Sequence, residues 1–128
     1  MSANGAKSVG TNYQVTKYNA EEYLKNSGLV YTILRPSVIF GDPQGKMEFI
    51  TQLYQELITP PLPAVNFFKG FLPIQGSVKM SPVHIDDVVE VFCLALKLNH
   101  TNNKTYNLGG PEILSWYEIL KCVAATTK

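Results

Sequence analysis

Tyr13 and Lys17 stand four residues apart at the head of a run that reads as a helix up to Gly28. That spacing puts both side chains on one helical face, one turn apart. A phenol is a poor base at neutral pH, but a neighbouring ammonium favours the phenolate. Such a pair can give or take a proton at a carbonyl or alcohol oxygen. The lysine keeps spare donors that could hold a cofactor's ribose hydroxyl, and Ser2 is the available hydroxyl to orient the same substrate oxygen. A bare Y-x-x-x-K match is common on helix surfaces, so its worth depends on the elements around it.

Those elements can be read in order. Residues 1–12 are small and polar and read as a loop that opens as if a preceding strand had been cut away. Gly5-Ala-Lys-Ser8 lacks the glycines of a phosphate loop at the required positions. The first helix is expected from about Tyr13 to Ser27, with Tyr13, Lys17, Ala20 and Leu24 as a stripe, Glu21 able to pair with Lys25, and Gly28 as a left-handed cap. Leu29 to Leu34 is a short, wholly apolar run that suits a strand buried on both faces, and Pro36 ends it. A second helix is expected over Met47 to Ile58, closed by Thr59-Pro-Pro-Leu-Pro63. Residues 64–80, with Phe67, Phe68 and Phe71, read as an irregular aromatic segment that suits either a substrate pocket or a partner surface.

Ser81 to Ile85 reads as a short extended piece leading to Asp86 and Asp87. Asp87 and Glu90 have capping-box spacing, for a helix to about Leu98 with Val88, Val89, Phe92, Cys93 and Leu96 as its buried face. Thr105 to Gly110 reads as a strand and glycine turn, and Ser115 to Glu118 as a capping box opening the last helix. Strands alternating with helices argue an α/β fold with parallel pairing. Two convincing strands with four helices look like the back half of a larger doubly wound domain.

Composition narrows the function. Of 128 residues, 45% are hydrophobic and 16% charged, too apolar for a disordered tail. A net charge of +1 and scattered lysines give no electrostatic footprint for nucleic acid. Cys93 and Cys122 lack metal-ligand or disulfide-framework spacing and read as buried reduced thiols, and no metal site is expected. No apolar run reaches the ~18 residues of a membrane span, and no leader is apparent. Sequons at Asn99 and Asn103 read as chance, and a cytoplasmic setting follows, with a mitochondrial or membrane-complex-associated one as the alternative.

The blocks after Tyr13 and Lys17 complete a pattern: Arg35-Pro36, Val38-Ile39-Phe40-Gly41, Pro82 to Asp87, then Tyr106-Asn-Leu-Gly-Gly110. Together they resemble, over essentially the whole chain, the C-terminal part of an extended or atypical short-chain dehydrogenase/reductase. The near neighbours are NAD(P)-dependent epimerases/dehydratases and the reductase-like accessory subunit of respiratory complex I. The resemblance implies the C-terminal portion of a Rossmann-type sheet over residues 1–58 and a substrate-binding lobe over 59–128 that carries the last Rossmann strand at about 105–108. It implies Tyr13 as acid/base, Lys17 as its partner and ribose anchor, and Ser2 as the substrate-orienting serine. NAD or NADP would lie against Tyr13, Lys17, Pro36, Ser37, Val38 and Ile39. Arg35, Phe40, Phe71 and His84 would face a small-molecule substrate. For Arg35 a structural ion pair and a substrate-phosphate contact stand level, for His84 a structural hydrogen bond is preferred, and Asp86 and Asp87 are read as caps. The glycine-rich G-x-x-G-x-x-G turn of the dinucleotide-binding half is not in this sequence. The partners expected are therefore that half, or a second copy through an open sheet edge beside the Leu29–Leu34 strand. A non-catalytic nucleotide-binding or assembly role, or an inactive fragment, is the alternative.

Overall fold

The computed structural model describes residues 1–42, 44 and 79–126. The expected Met47–Ile58 helix and the aromatic segment with Phe71 lie outside the described residues. Helix α1 (Asn12–Lys25) is followed by strands β1 (Thr32–Pro36), β2 (Ile39–Phe40), β3 (Lys79–Met80) and β4 (Val83–His84). Helix α2 (Ile85–Lys97), a 3-10 turn (Asn99–Thr101), β5 (Lys104–Leu108), β6 (Leu114–Ser115) and α3 (Trp116–Thr126) complete the order.

The central pair is β1 with β5, parallel, with Thr32 opposite Lys104 and Pro36 opposite Leu108. Ile33 and Leu34, consecutive residues, are both buried, as a strand covered on both faces requires. The strand begins three residues later than the apolar run suggests. Leu29 and Val30 are exposed, and Tyr31 is held instead by Asn103, whose backbone N–H donates to the Tyr31 carbonyl at 2.6 Å. Pro36 is the last residue of the strand, and its carbonyl, not its missing N–H, is what the neighbouring segment uses.

That neighbour is the polar stretch at the start of the chain. The Ser2 N–H donates to the Leu34 carbonyl at 2.8 Å, and the Asn4 N–H donates to the Pro36 carbonyl at 3.0 Å. Two steps along one segment match two along the other in the same direction, which is parallel pairing. Pro36 has no N–H to return a bond, so only half of the ladder forms. The edge expected to be open beside β1 is therefore occupied at Leu34 and Pro36.

Local signals set the helix ends. Thr11 caps α1 and Gln14 completes the capping box, with bonds of 3.3 Å to the Thr11 hydroxyl and 3.0 Å from the Thr11 N–H. Gly28 has φ +76°, the left-handed conformation expected after the helix. Helix α2 starts earlier than the aspartates suggest. His84 is its N-cap, its Nδ1 accepting from the Asp86 N–H at 3.3 Å, so Asp86 and Asp87 occupy the first turn rather than the cap. Acidic residues suit that turn because the helix dipole presents its positive end there.

The buried stripe of α2 includes the expected Val88 and Phe92 and corrects the other three expected residues. Val88, Val91, Phe92 and Ala95 face inward, whereas Val89, Cys93 and Leu96 are exposed. Both stripes are apolar, so composition alone could not choose between them. Cys122 is exposed as well, which leaves neither cysteine a buried thiol. At α3 the capping box forms as read: the Ser115 N–H and hydroxyl both donate to Glu118 at 2.7 Å. The bond from the Ser115 backbone, then that from its hydroxyl, hold the Glu118 carboxyl below its ordinary range.

The double glycine after β5 is a packing joint. A Cβ on Gly110 would overlap the Pro82 carbonyl, and one on Gly109 would lie 2.8 Å from the Ser81 Cβ. Gly110→Ala is expected to lower stability by roughly 1–3 kcal/mol through overpacking. Gly28→Ala, with open space but a positive φ, should cost only about 1 kcal/mol. Urea denaturation of both variants checks this, and an unchanged Gly110→Ala midpoint would contradict the close approach.

Candidate functional site

A cleft of about 570 Å³ opens at the carboxyl end of β1. Its lining brings together Ser2, Tyr13 and the run Pro36–Ile39, which are residues expected at the site from separate parts of the sequence. In an open α/β sheet the carboxyl ends of strands are where ligands bind, because the loops there are free to carry side chains. Tyr13 comes from the first turn of α1 and is 61% exposed. Pro36–Ile39 is fixed by the strand end: the Ser37 N–H donates to the Leu108 carbonyl at 2.8 Å, and the Val38 carbonyl accepts from Val83 at 2.9 Å.

Lys17 does not line this cleft. Its ammonium lies 5.6 Å from the centroid of the Tyr13 ring, within reach of a cation–π contact. With Ser2, Ala20, Glu21 and Leu24 it faces a smaller cavity of about 150 Å³. Ser2 lines both spaces and sits between them.

Glu21, at 3% exposure, is a buried charge on the wall of the smaller cavity. It does not pair with Lys25, which binds Glu22 at 2.7 Å instead. Arg35 donates to it through a two-point fork, Nε to Oε1 at 2.8 Å and Nη2 to Oε2 at 2.5 Å, and the Ser2 hydroxyl donates to Oε1 at 2.5 Å. The Arg35 bonds hold the Glu21 carboxyl below its ordinary value despite burial, which pulls the other way, and Ser2 adds to the lowering. The same bonds raise Arg35. Of the two roles level for Arg35, the geometry displays the ion pair.

The remaining expected residues lie elsewhere. Phe40 packs edge-on against His84 with ring centroids 5.3 Å apart, and His84 caps α2; neither lines the cleft. Phe71 lies outside the described residues. Asn4, Gly5, Lys79 and Met80 do line the cleft and were not anticipated. The Asn4-Gly5 dipeptide was the available signal, and it makes the turn, with Gly5 at φ +85°. Lys79 and Met80 form a two-residue strand antiparallel to Leu114–Ser115, too short for any periodicity to announce. Among the described residues no group of three or more His, Cys, Asp or Glu could hold a metal ion, and no helix is long and apolar enough to cross a membrane.

The parallel strand pairs, the flanking helices and a cleft at a strand end define an α/β, Rossmann-type protein. The chain belongs to the NAD-dependent epimerase/dehydratase family, whose model it matches over residues 3–109. It is 31% identical, over 80% of its length, to the mitochondrial NADH dehydrogenase [ubiquinone] 1 alpha subcomplex subunit 9 of Arabidopsis thaliana, and spans 23% of that protein. Several solved structures share the fold. A UDP-glucose 4-epimerase from Thermotoga maritima, solved with UDP-glucose, matches 98% of this chain with a TM-score of 0.64 and 22% identity. MoeE5, in complex with UDP-glucose and NAD, matches 98% with a TM-score of 0.67 and 20% identity. The chain spans 45% and 46% of those two proteins.

Removing the buried Glu21 charge gives a direct test. Glu21→Ala strands Arg35 half-buried and should cost roughly 2–4 kcal/mol. Because the folded carboxyl lies below its ordinary value of 4.5, its stabilisation is complete above that pH and is lost as pH falls through the lower folded value. Urea midpoints measured from neutral pH downward should therefore fall below about pH 4.5 in the wild type and show a shallower acid limb in Glu21→Gln. An identical acid limb in the two proteins would remove Glu21 as the cause.

Proposed function

We propose that this chain supplies the proton-transfer helix and the substrate side of an NAD(P)-dependent reductase or epimerase acting on a carbonyl/alcohol or nucleotide-sugar substrate. The observation that carries this reading is the convergence of Tyr13 and the Pro36–Ile39 run on one cleft, with Lys17 over the tyrosine ring. The cleft's size and mostly apolar wall fit the nicotinamide end of a dinucleotide. Pro36, Val38 and Ile39 offer apolar contact for a ring, and Tyr13 offers a polar group in the cleft, with Lys17 beside its ring. The fit stops at the pyrophosphate, for which the 128 residues contain no glycine-rich turn.

When bound, the cofactor supplies or accepts the hydride. Tyr13 handles the proton of the reacting oxygen at its phenol Oη, with the Lys17 ammonium 5.6 Å from the centroid of its ring. Val38 and Ile39 keep water off the face where the ring would lie. The structural neighbours solved with NAD and with UDP-glucose support this ligand chemistry.

Two measurements test it. In an NMR titration of the chain with NAD+ or NADP+, shifts should centre on Tyr13, Lys17 and Ser37–Ile39 and half-saturate near ~1 mM, since the pyrophosphate lacks its anchor. Micromolar binding would contradict this half-site picture. In the native host, Tyr13→Phe should lose the 10²–10⁴-fold typical of a positioned acid/base.

The 31% identity to the complex I subunit favours a second reading, a non-catalytic nucleotide-binding or assembly role, with a mitochondrial setting. That reading gains if Tyr13→Phe leaves cellular function intact while Glu21→Ala abolishes it.

A further inference from the structure

Two serines line the cleft, and their hydrogen bonds divide their roles. A hydroxyl has one proton to donate and two lone pairs to accept with. The Ser2 proton is committed to the buried Glu21 carboxylate at 2.5 Å. While that bond holds, Ser2 has only lone pairs left and cannot donate to a carbonyl oxygen. Ser37 is arranged the opposite way. Its Oγ accepts the Ser81 backbone N–H at 3.4 Å, and its own proton has no acceptor among the described residues.

Ser37 is also well fixed. Its N–H is bonded to Leu108, and Ser81 is pressed against Gly109 and bonded through its carbonyl to the Gly110 N–H at 3.3 Å. The other polar side chains on the cleft, Asn4 and Lys79, are exposed and have no side-chain hydrogen bond among the described residues. We infer that Ser37, not Ser2, is the hydroxyl that donates to the substrate oxygen beside Tyr13. This rests on reading the cleft as the proton-transfer site. Ser2 acts beneath it as a strut between the first segment and Glu21.

The test is an NMR titration of the NAD+-saturated full chain with UDP-glucose, following Tyr13 signals in wild type, Ser37→Ala, Ser37→Thr and Ser2→Ala. Ser37→Ala should weaken binding roughly five- to tenfold, the worth of one hydrogen bond, and Ser37→Thr should restore it. The urea midpoint is where Ser2→Ala should register. If Ser37→Ala binds within twofold of wild type, or Ser2→Ala costs the ligand as much as Ser37→Ala, the assignment is overturned. If wild type shows no Tyr13 shift with either ligand, the reading of the cleft itself falls, and the Ser37 role with it.

Discussion

The carboxylate of Glu21 is the constraint on which the rest depends. A charge buried to that degree costs several kcal/mol unless its lone pairs are met, and here three donors from two other parts of the chain meet them. Arg35 brings β1, Ser2 brings the first segment, and Glu21 itself brings α1. The fork of a guanidinium on a carboxylate fixes direction as well as distance, which a lysine could not do. Tyr13 lies eight residues up the same helix, about 12 Å along its axis at 1.5 Å per residue. Small rotations of α1 at the anchor would be carried to the phenol, so the ion pair sets the aim of a group it does not touch.

The opposite wall of the cleft is built by close backbone approach rather than by charge. Gly109 and Gly110 let the end of β5 lie against Ser81 and Pro82, and Ser81 in turn holds Ser37. The cleft thus has one wall carried on a helix and fixed by an ion pair, and one carried on strand ends and fixed by steric contact. Chemistry placed on loops at the ends of rigid strands is a common division of labour in α/β proteins.

Much of this was legible in the residues. The tyrosine–lysine spacing, the glycine after the helix, the buried strand and the Ser115–Glu118 box each follow from local rules, and the structure displays them. The partner of Glu21 was not legible: Lys25 is near in sequence, whereas Arg35 becomes a neighbour only when β1 packs on α1. The cap of α2 was misplaced because aspartate is a commoner cap than histidine, though the His84 ring nitrogen does the same work. Val88 and Phe92 on the inward stripe of that helix were legible, but Val89, Cys93 and Leu96 were misplaced because two adjacent stripes are apolar and only tertiary contact selects one. The pairing of Ser2 and Asn4 with β1 left no trace in composition, since those residues look like loop and are ordered by the backbone they lie against.

Pro36 gives that pairing a further property. A full parallel ladder alternates bonds in both directions, but here every bond runs from the first segment toward β1 and none returns. The segment is therefore fastened at alternate points, while β1 and β5 are zipped throughout. That stretch is a wall of the cleft, so the wall is held by two backbone bonds and the Ser2–Glu21 contact rather than by a continuous ladder.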